Sequence, residues 1–455
     1  MIPFLSGGGL AGAAHQIIKK YNGSLFVPSP RSCFADVAGT VAAVQDETVA
    51  CVVDVLGGPV NLTQSTTGYM PILRRGAKNF APNSTWVAGV VFDNTYGIAN
   101  CPVQTQGPQY GGYRGGRSTL VTQGATYNNR VQVNMPAMSY GITVTNSFRI
   151  RKTPSFTGEY CAFGHNNTTQ GLVMFNAYSG AITDHQAGVV ASSCVTDTAD
   201  PSWWFVQVTI LLNSVAGYAT EIWVTVFYPA YNTTGLFSSG QMSTGGSGYS
   251  YEVDAVQCEI GTSASPYIMT VGAPLSSGVG NWWLDGSSLS NTTLNFNTVP
   301  FAYTGTQNGY IGVSVNSWGT QGNYQAFYGF GGYDTATSST NLWILAVEAN
   351  GCMYTQSYFN ASYQGTYATP SPLVPALPQV LSVLVTGTTN ILRVNTTDIP
   401  SGVITPPPAL PPPGYSANCE VAMPLYGYTV MAANMQPAER AVVERYLAYL
   451  GSFTI

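Results

Sequence analysis

Charged residues are scarce in this sequence, and their scarcity limits what the protein can be. The chain has 455 residues, of which 15 are Lys or Arg and 20 are Asp or Glu. Charged residues therefore make up 8% of the chain, against about a quarter in typical soluble domains. Hydrophobic residues make up 45%, which is enough for large cores and argues against disorder. The polar surface must then consist of hydroxyl and amide groups, which favours β-rich virion, adhesin or extracellular proteins over cytosolic enzymes.

Basic runs and long apolar runs are also missing. The formal net charge is −5 and the basic residues form no run, whereas nucleic-acid binding requires clustered Lys and Arg that neutralise several phosphates. No segment reaches the roughly 18 consecutive apolar residues of a transmembrane helix. The first 20 residues lack the basic start of a signal peptide, and Gly7 to Gly9 interrupt their apolar stretch. We therefore expect no nucleic-acid partner, no membrane insertion and no general secretory export.

The residues of common catalytic and zinc sites are few. Histidine occurs only at positions 15, 165 and 185, and neither a C-x-x-C nor an H-E-x-x-H motif is present. Asp184 precedes His185, but adjacent side chains in a turn rarely adopt the geometry of a hydrolytic triad. The sequence thus predicts no catalytic residues, no metal site and no cofactor.

Eight cysteines leave the redox state open. Two pairs lie close enough in sequence to form disulfides, Cys33 with Cys51 and Cys161 with Cys194. In a protein assembled in a reducing cytosol, buried free thiols are the favoured alternative. The remaining cysteines are Cys101, Cys258, Cys352 and Cys419.

Strand-like runs cover most of the chain. They alternate in hydrophobicity or are rich in β-branched and aromatic residues, and turn residues separate them. The clearest runs span 129–135, 146–153, 203–212, 221–228, 309–318, 324–333, 341–349 and 380–395. The last run predicts a hairpin that turns at 387–390. This pattern predicts an all-β fold built from two tandem β-sandwich domains.

The final stretch, MQPAERAVVERYLAYLGSF, has a helical pattern instead. Val443, Leu447 and Leu450 lie on one face of a helix, Pro437 fits its first turn, and Gly451 ends it. We predict that this helix covers an open side of the second sandwich. Four charged residues are expected on its solvated outer face: Glu439, Arg440, Glu444 and Arg445.

Three stretches resemble phage tail-fibre and related virion proteins. Residues 34–76 are similar to an opening element of the form F-x-D-x-x-G-T-x-x-V that leads to R-P-I-L-R, with Met70 in place of the Arg before Pro71. The segment VDAVQCEIGTSASPYI (253–268) resembles the strand and turn that end the family's carbohydrate-binding-module-like jelly roll. The final stretch resembles L-S-D-A-E-R-x-x-x-E-x-Y-L-A, the helix that follows a laminin-G-like (concanavalin A-like) domain.

The resemblance implies a domain order and a set of partners. It implies an N-terminal anchoring arm at 1–30, a small β-rich linker element at 31–76, a jelly roll at 77–275 and a laminin-G-like sandwich with its helix at 276–455. Other virion proteins would bind the arm, although a frayed terminus is an equal alternative for this Gly-rich segment. The amphipathic pattern of 11–20 is compatible with a short helix, and the chain would form a homo-oligomer such as a trimer. It would be assembled in the bacterial cytoplasm and reside in the virion. A structural calcium ion stays open, because concanavalin A-like sandwiches often hold one.

The same resemblance leaves three functions open. A tail fibre or receptor-binding protein would bind host-surface glycans, a collar, baseplate or capsid-decoration protein would bind only virion partners, and a depolymerase would cleave polysaccharide. Cleavage requires two carboxylates that face one sugar, and Asp285, Asp334 and Glu348 are the acidic residues in aromatic surroundings. Sugar binding is the favoured hypothesis, because aromatic rings stack on pyranose rings and neutral polar groups bond the hydroxyls. The candidate carbohydrate-binding residues are Trp282, Trp283, Trp318, Tyr324, Tyr328 and Tyr333.

Overall fold

A computed structural model of the chain consists mostly of β-strands. The described residues are 9–81, 103–106, 119–122, 130–134, 143–152, 160–165, 171–185, 188–212, 221–227, 250–270, 273–286, 292–297, 308–316, 325–334, 339–347, 352–359, 362–368, 373, 378–386, 389–399, 418–420, 425–432 and 435–455. They contain thirty strands, one 3-10 turn and two short α-helices, so the prediction of an all-β fold is confirmed. Neither helix is long and apolar enough to span a bilayer.

The chain divides into two compact units. One unit comprises Met1–Gly76 together with Gly278–Ile455, and the other comprises Ala77–Ser277. The first 76 residues therefore belong to the same unit as the C-terminal part of the chain. The description of the units as a jelly roll and a laminin-G-like sandwich stays a prediction.

The N-terminal part of the first unit begins with a helix. Its elements are α1 (Leu10–Lys20), β1 (Ser24–Phe26), β2 (Cys33–Phe34), β3 (Cys51–Val53), β4 (Asn61–Thr63), a 3-10 turn (Thr67–Tyr69) and β5 (Ile72–Arg75). Helix α1 buries Ala14 and Ile18 on one side, as expected of an amphipathic segment.

The second unit contains thirteen of the described strands. They are β6 (Lys78–Asn79), β7 (Val103–Gln106), β8 (Thr119–Thr122), β9 (Arg130–Asn134), β10 (Thr143–Arg151), β11 (Tyr160–His165), β12 (Leu172–Asn176), β13 (Ile182–His185), β14 (Val189–Thr196), β15 (Trp203–Leu211), β16 (Glu221–Phe227), β17 (Ser250–Ile260) and β18 (Leu275–Ser276). A six-stranded sheet has the order β14-β15-β10-β17-β8-β7, and a five-stranded sheet has the order β13-β12-β11-β16-β9. Phe148 of the first sheet contacts Phe163 of the second, with ring centroids 4.2 Å apart, so the two sheets share a core.

The C-terminal part of the first unit ends in the predicted helix. Its elements are β19 (Trp282–Asp285), β20 (Thr293–Phe296), β21 (Gly309–Asn316), β22 (Gln325–Asp334), β23 (Ser339–Val347), β24 (Met353–Phe359), β25 (Ser362–Ala368), β26 (Pro378–Thr386), β27 (Thr389–Val394), β28 (Thr397–Asp398), β29 (Asn418–Glu420), β30 (Leu425–Met431) and α2 (Pro437–Leu450). Strands β26 and β27 form the predicted hairpin. The turn is tighter than expected, since Thr389 and Asn390 already belong to β27.

Two sheets also build the first unit. One has the order β28-β27-β26-β21-β30-β19-β5, with β1 paired to β30, and the other has the order β2-β3-β4-β20-β29-β22-β23-β24-β25. Alternate residues of β21 face opposite sides, because side chains alternate along a strand. Ile311 and Val313 lie in a core that both sheets share, while Gly312 lies under α2, where an added Cβ would come within 2.9 Å of Leu447 Cδ1.

Helix α2 covers the outer side of the eight-stranded sheet, as the sequence predicts. Val443, Leu447 and Leu450 are buried in a cluster with Val380 of β26 and Met431 of β30. The helix begins and ends where the sequence predicts, at Pro437 and just before Gly451.

The expectation of a solvated charged face on α2 is wrong for two of its four residues. Arg440 is 1% exposed and Glu444 is fully buried. Arg440 Nε donates to Glu444 Oε1 at 2.8 Å, and Ser382 of β26 donates to the same oxygen at 2.5 Å. Because these polar groups are buried between the helix and the sheet, they form hydrogen bonds with each other instead of with water.

The N-terminal segment is part of the fold rather than a separate arm over its described length. Strand β1 pairs with β30 between Ser24 and Val430, and α1 packs on the cluster that contains α2. Residues 1–8 lie outside the described residues. The prediction that residues 1–30 bind other virion proteins therefore stays a prediction.

Candidate functional site

A cleft of about 580 Å³ opens on the first unit. Strands β5, β19 and β30 contribute to it, and so do the segment after β1 and the end of α2. Its described lining residues are Val27, Pro28, Ser29, Arg75, Gly280, Asn281, Trp282, Tyr426, Tyr449, Leu450, Ser452, Phe453 and Thr454. The volume lies in the range of ordinary ligand sites.

The pairing of β5 with β19 places Trp282 in this cleft. Trp282 is the cross-strand partner of Arg75, and Trp283 is the partner of Arg74. The guanidinium carbon of Arg75 lies 5.3 Å from the centroid of the Trp282 ring, which is within the distance of a cation–π interaction. Arg75 Nε also donates to Gly280 O at 3.2 Å. These contacts set the guanidinium and the indole side by side.

The end of α2 forms a second aromatic wall. Tyr449 is 59% exposed, and its ring stacks on the buried Tyr446 ring at 6.5 Å. The chain then continues past Gly451, where an added Cβ would lie 2.6 Å from the Phe453 ring. The backbone N–H of Phe453 donates to Ala448 O at 3.1 Å, and the Asn281 side chain donates to Leu450 O. The first bond holds the C-terminal segment against the end of α2, and the second connects α2 to the residue that precedes β19.

Neutral polar groups complete the lining. Burial raises the pKa of Tyr426 to about 12, although a side-chain hydrogen bond with Asn316 acts in the opposite direction. The Tyr426 phenol therefore stays protonated at neutral pH. Ser29, Ser452 and Thr454 add hydroxyl groups. The cleft thus combines aromatic surface with groups that donate and accept hydrogen bonds.

The described lining of the cleft contains one of the six residues predicted to bind sugar. Trp282 lines the cleft, but Trp283 is only 5% exposed and donates its indole N–H to Gly76 O at 2.9 Å. Tyr328 and Tyr333 belong to β22, which lies in the other sheet of the unit, and the placement of their side chains is not described. Trp318 and Tyr324 lie outside the described residues. A role for these five residues in sugar binding stays a prediction.

Most residues of the cleft are absent from the sequence prediction. Tyr449 offered a signal, because it falls outside the apolar face of the predicted helix and so places an aromatic ring on its outer side. Arg75, Asn281 and Phe453 offered none, since each is brought to the cleft by the pairing of strands or segments that are far apart in sequence.

The acidic candidates occupy different surroundings. Asp285 is 1% exposed and accepts a hydrogen bond of 2.9 Å from Arg74 Nε, while Arg74 also bonds Asp46 at 2.7 Å. Asp285 is therefore part of a buried ion pair. Asp334 ends β22, where side chains are not described, and Glu348 lies outside the described residues.

The cysteines whose side chains are described carry free thiols. Cys33, Cys51 and Cys194 form no disulfide, so neither of the two candidate pairings is present. Burial raises the pKa of Cys33 and of Cys194 to about 12, which makes both thiols poor nucleophiles. Among the described residues no cluster of three or more His, Cys, Asp or Glu could hold a metal ion.

Comparison with known proteins gives weak likenesses only. No protein-family model and no curated protein matches the sequence. Domains LG4-5 of the mouse laminin α1 chain share 11% identity at a TM-score of 0.19, over 74% of this chain and 86% of that chain. A Trypanosoma rangeli sialidase in complex with sialic acid shares 10% identity at a TM-score of 0.23, over 88% of this chain and 62% of that chain. The tail fibre protein gp63.1 of E. coli phage G7C shares 10% identity at a TM-score of 0.18, over 70% of this chain and 36% of that chain. Likeness this weak does not assign a function.

Proposed function

We propose that this chain is a bacteriophage virion protein, a tail fibre or receptor-binding component that binds host-surface glycans in the cleft described above. The observation that carries the proposal is the composition of the cleft, in which Trp282, Tyr449 and Phe453 supply rings and Asn281 supplies an amide. Sugars are bound by this combination, since rings cover their apolar faces and neutral polar groups bond their hydroxyls.

Two features of the sequence support the virion part of the proposal. The composition is poor in charge and rich in hydroxyl and amide groups, and three stretches resemble tail-fibre and related virion proteins. Within the particle, the chain would act as a homo-oligomer, and a trimer would place several clefts side by side.

The proposed role is binding rather than cleavage. Glycoside hydrolysis generally uses a pair of carboxylates on either side of the scissile bond, and the described lining of the cleft includes neither Asp nor Glu. A collar, baseplate or capsid-decoration role, in which the cleft takes no sugar, is the competing outcome of the test below.

A glycan array with the purified full chain tests the proposal. Tyr449→Ala should weaken binding about tenfold, or about 1.4 kcal/mol, because it removes an exposed ring from the cleft. Tyr69→Ala is the matched control, since Tyr69 is 45% exposed in the same unit but does not line the cleft. Tyr69→Ala should bind as the wild type does.

Three results would contradict the proposal. Binding that survives Tyr449→Ala unchanged would place the sugar elsewhere, and an array without any bound glycan would favour the purely structural role. Release of reducing ends from host polysaccharide would show a depolymerase instead.

A further inference from the structure

The charge of the cleft narrows the class of glycan that it would bind. Among the described residues that line it, Arg75 is the only charged one. The chain as a whole carries a formal net charge of −5. The described lining of the cleft has a charge of the opposite sign, because it contains one positive residue and no negative residue. The one charged side chain that a ligand would meet in the described lining is therefore the Arg75 guanidinium.

The position of the Arg75 guanidinium is set by its neighbours. The backbone of Arg75 is paired with that of Trp282 in β19. The Nε of Arg75 donates to Gly280 O at 3.2 Å, and its guanidinium carbon lies 5.3 Å from the Trp282 ring centroid. A guanidinium carries five N–H groups in a planar fork. That fork matches the two oxygens of a carboxylate, and such charge-assisted bonds are stronger than neutral ones.

We propose that the cleft selects an acidic saccharide, with Arg75 binding a sugar carboxylate while the rings of the cleft cover the pyranose. This inference rests on the proposed function, because it names the class of glycan that the same cleft takes. Arg75 then determines specificity, and the rings and hydroxyls supply the affinity that acidic and neutral sugars share.

Matched pairs of oligosaccharides test the inference. Uronic-acid oligosaccharides are compared with the neutral oligosaccharides made from them by carboxyl reduction, with the purified full chain in a titration calorimeter. The wild type should bind the acidic form at least tenfold more tightly, and this preference should shrink as salt is added. Arg75→Gln should reduce affinity for the acidic form about tenfold and leave the neutral form unchanged.

Arg445→Gln is the control for the loss of one positive charge, because Arg445 is exposed on α2 and does not line the cleft. It should keep the acidic preference. The comparison of acidic and neutral ligands on the wild type needs no variant, so it holds even if Arg75→Gln folds poorly. Equal affinity of the wild type for both forms, or an acidic preference that survives Arg75→Gln, would overturn this inference alone. Binding of neither form would overturn the proposed function with it.

Discussion

At the scale of single residues, the buried pair of Arg440 and Glu444 is the feature that the sequence misrepresents most. Their spacing of four residues places them on one side of a helix, and in a sequence such a pair looks like a solvated surface. In the structure Arg440 also donates to Ser382 Oγ at 2.8 Å and to Ile391 O at 3.1 Å. Arg393 contributes a further contact of 3.4 Å to Glu444. The pair therefore connects α2 to the hairpin of β26 and β27.

Removing one member of this pair should destabilise the first unit strongly. Glu444→Ala leaves the Arg440 guanidinium buried without its carboxylate, which costs about 3–5 kcal/mol in comparable buried pairs. Urea unfolding of the full chain measures the loss. Arg445→Ala is the control on the same helix and should change the free energy of unfolding by less than about 0.5 kcal/mol. A loss below about 1 kcal/mol for Glu444→Ala would show that the pair is hydrated after all.

The two neighbouring tryptophans show what a sequence can and cannot say about a site. Trp282 and Trp283 are adjacent in the sequence and share the same neighbouring residues. The sequence therefore makes both of them candidates for sugar binding. Only the pairing of β19 with β5 distinguishes them, since it sets Trp282 beside Arg75 and lets Trp283 bond Gly76. A pattern of alternation predicts that two neighbours face opposite sides, but not which side carries the site.

At the scale of elements, the contact between α1 and α2 joins the two ends of the first unit. Lys20 Nζ lies 2.6 Å from Glu439 Oε1, and the Tyr21 hydroxyl donates to Glu439 Oε2 at 2.6 Å. Glu439 Oε2 also accepts the backbone N–H of Gln436 at 3.1 Å, which stabilises the first turn of α2. His15 of α1 lies 3.2 Å from the Tyr446 hydroxyl of α2.

This contact should weaken in acid. Lys20 and then Tyr21 lower the pKa of Glu439 from 4.5 to about 2. A carboxyl whose pKa is lower in the folded state stabilises the fold above the pKa of the unfolded chain, and this stability is lost as the pH falls from about 4.5 to about 2. Glu439→Gln should remove that part of the pH dependence, which unfolding midpoints between pH 7 and pH 2.5 would show.

Two lysines provide the matched comparison. Lys20→Gln removes the main partner of Glu439 and should flatten the same part of the pH profile. Lys19→Gln alters the neighbouring exposed lysine and should leave the profile as it is in the wild type. Identical profiles for Glu439→Gln and the wild type would rule out a role of this contact in acid stability.

The elements themselves are the part of the fold that the sequence predicts best. Alternation and β-branched runs locate the long strands, such as β10, β15 and β21, and helical periodicity with Pro437 and Gly451 gives the bounds of α2. Pairings between distant segments are not predicted, because alternation says nothing about the partner of a strand. The pairing of β1 with β30 is an example, since Ser24 lies opposite Val430.

At the scale of the whole molecule, the scarcity of charge and the strand-rich pattern agree with the all-β architecture. The first unit is discontinuous, because Ala77–Ser277 intervenes between its two parts. The cleft depends on this arrangement, since Arg75 comes from before the intervening segment and Trp282, Tyr426 and Tyr449 come from after it. No single stretch of the sequence therefore contains the site.

Hydrogen exchange of the full chain, with and without a glycan identified on the array, locates the glycan-binding site on the protein. Amides at 280–282 and 449–453, beside Trp282 and Tyr449, should become protected when the glycan binds. Amides of β15 in the second unit serve as the internal control and should exchange as before. Protection of β15 with unchanged exchange at 280–282 and 449–453 would contradict the assignment of the cleft as the glycan site.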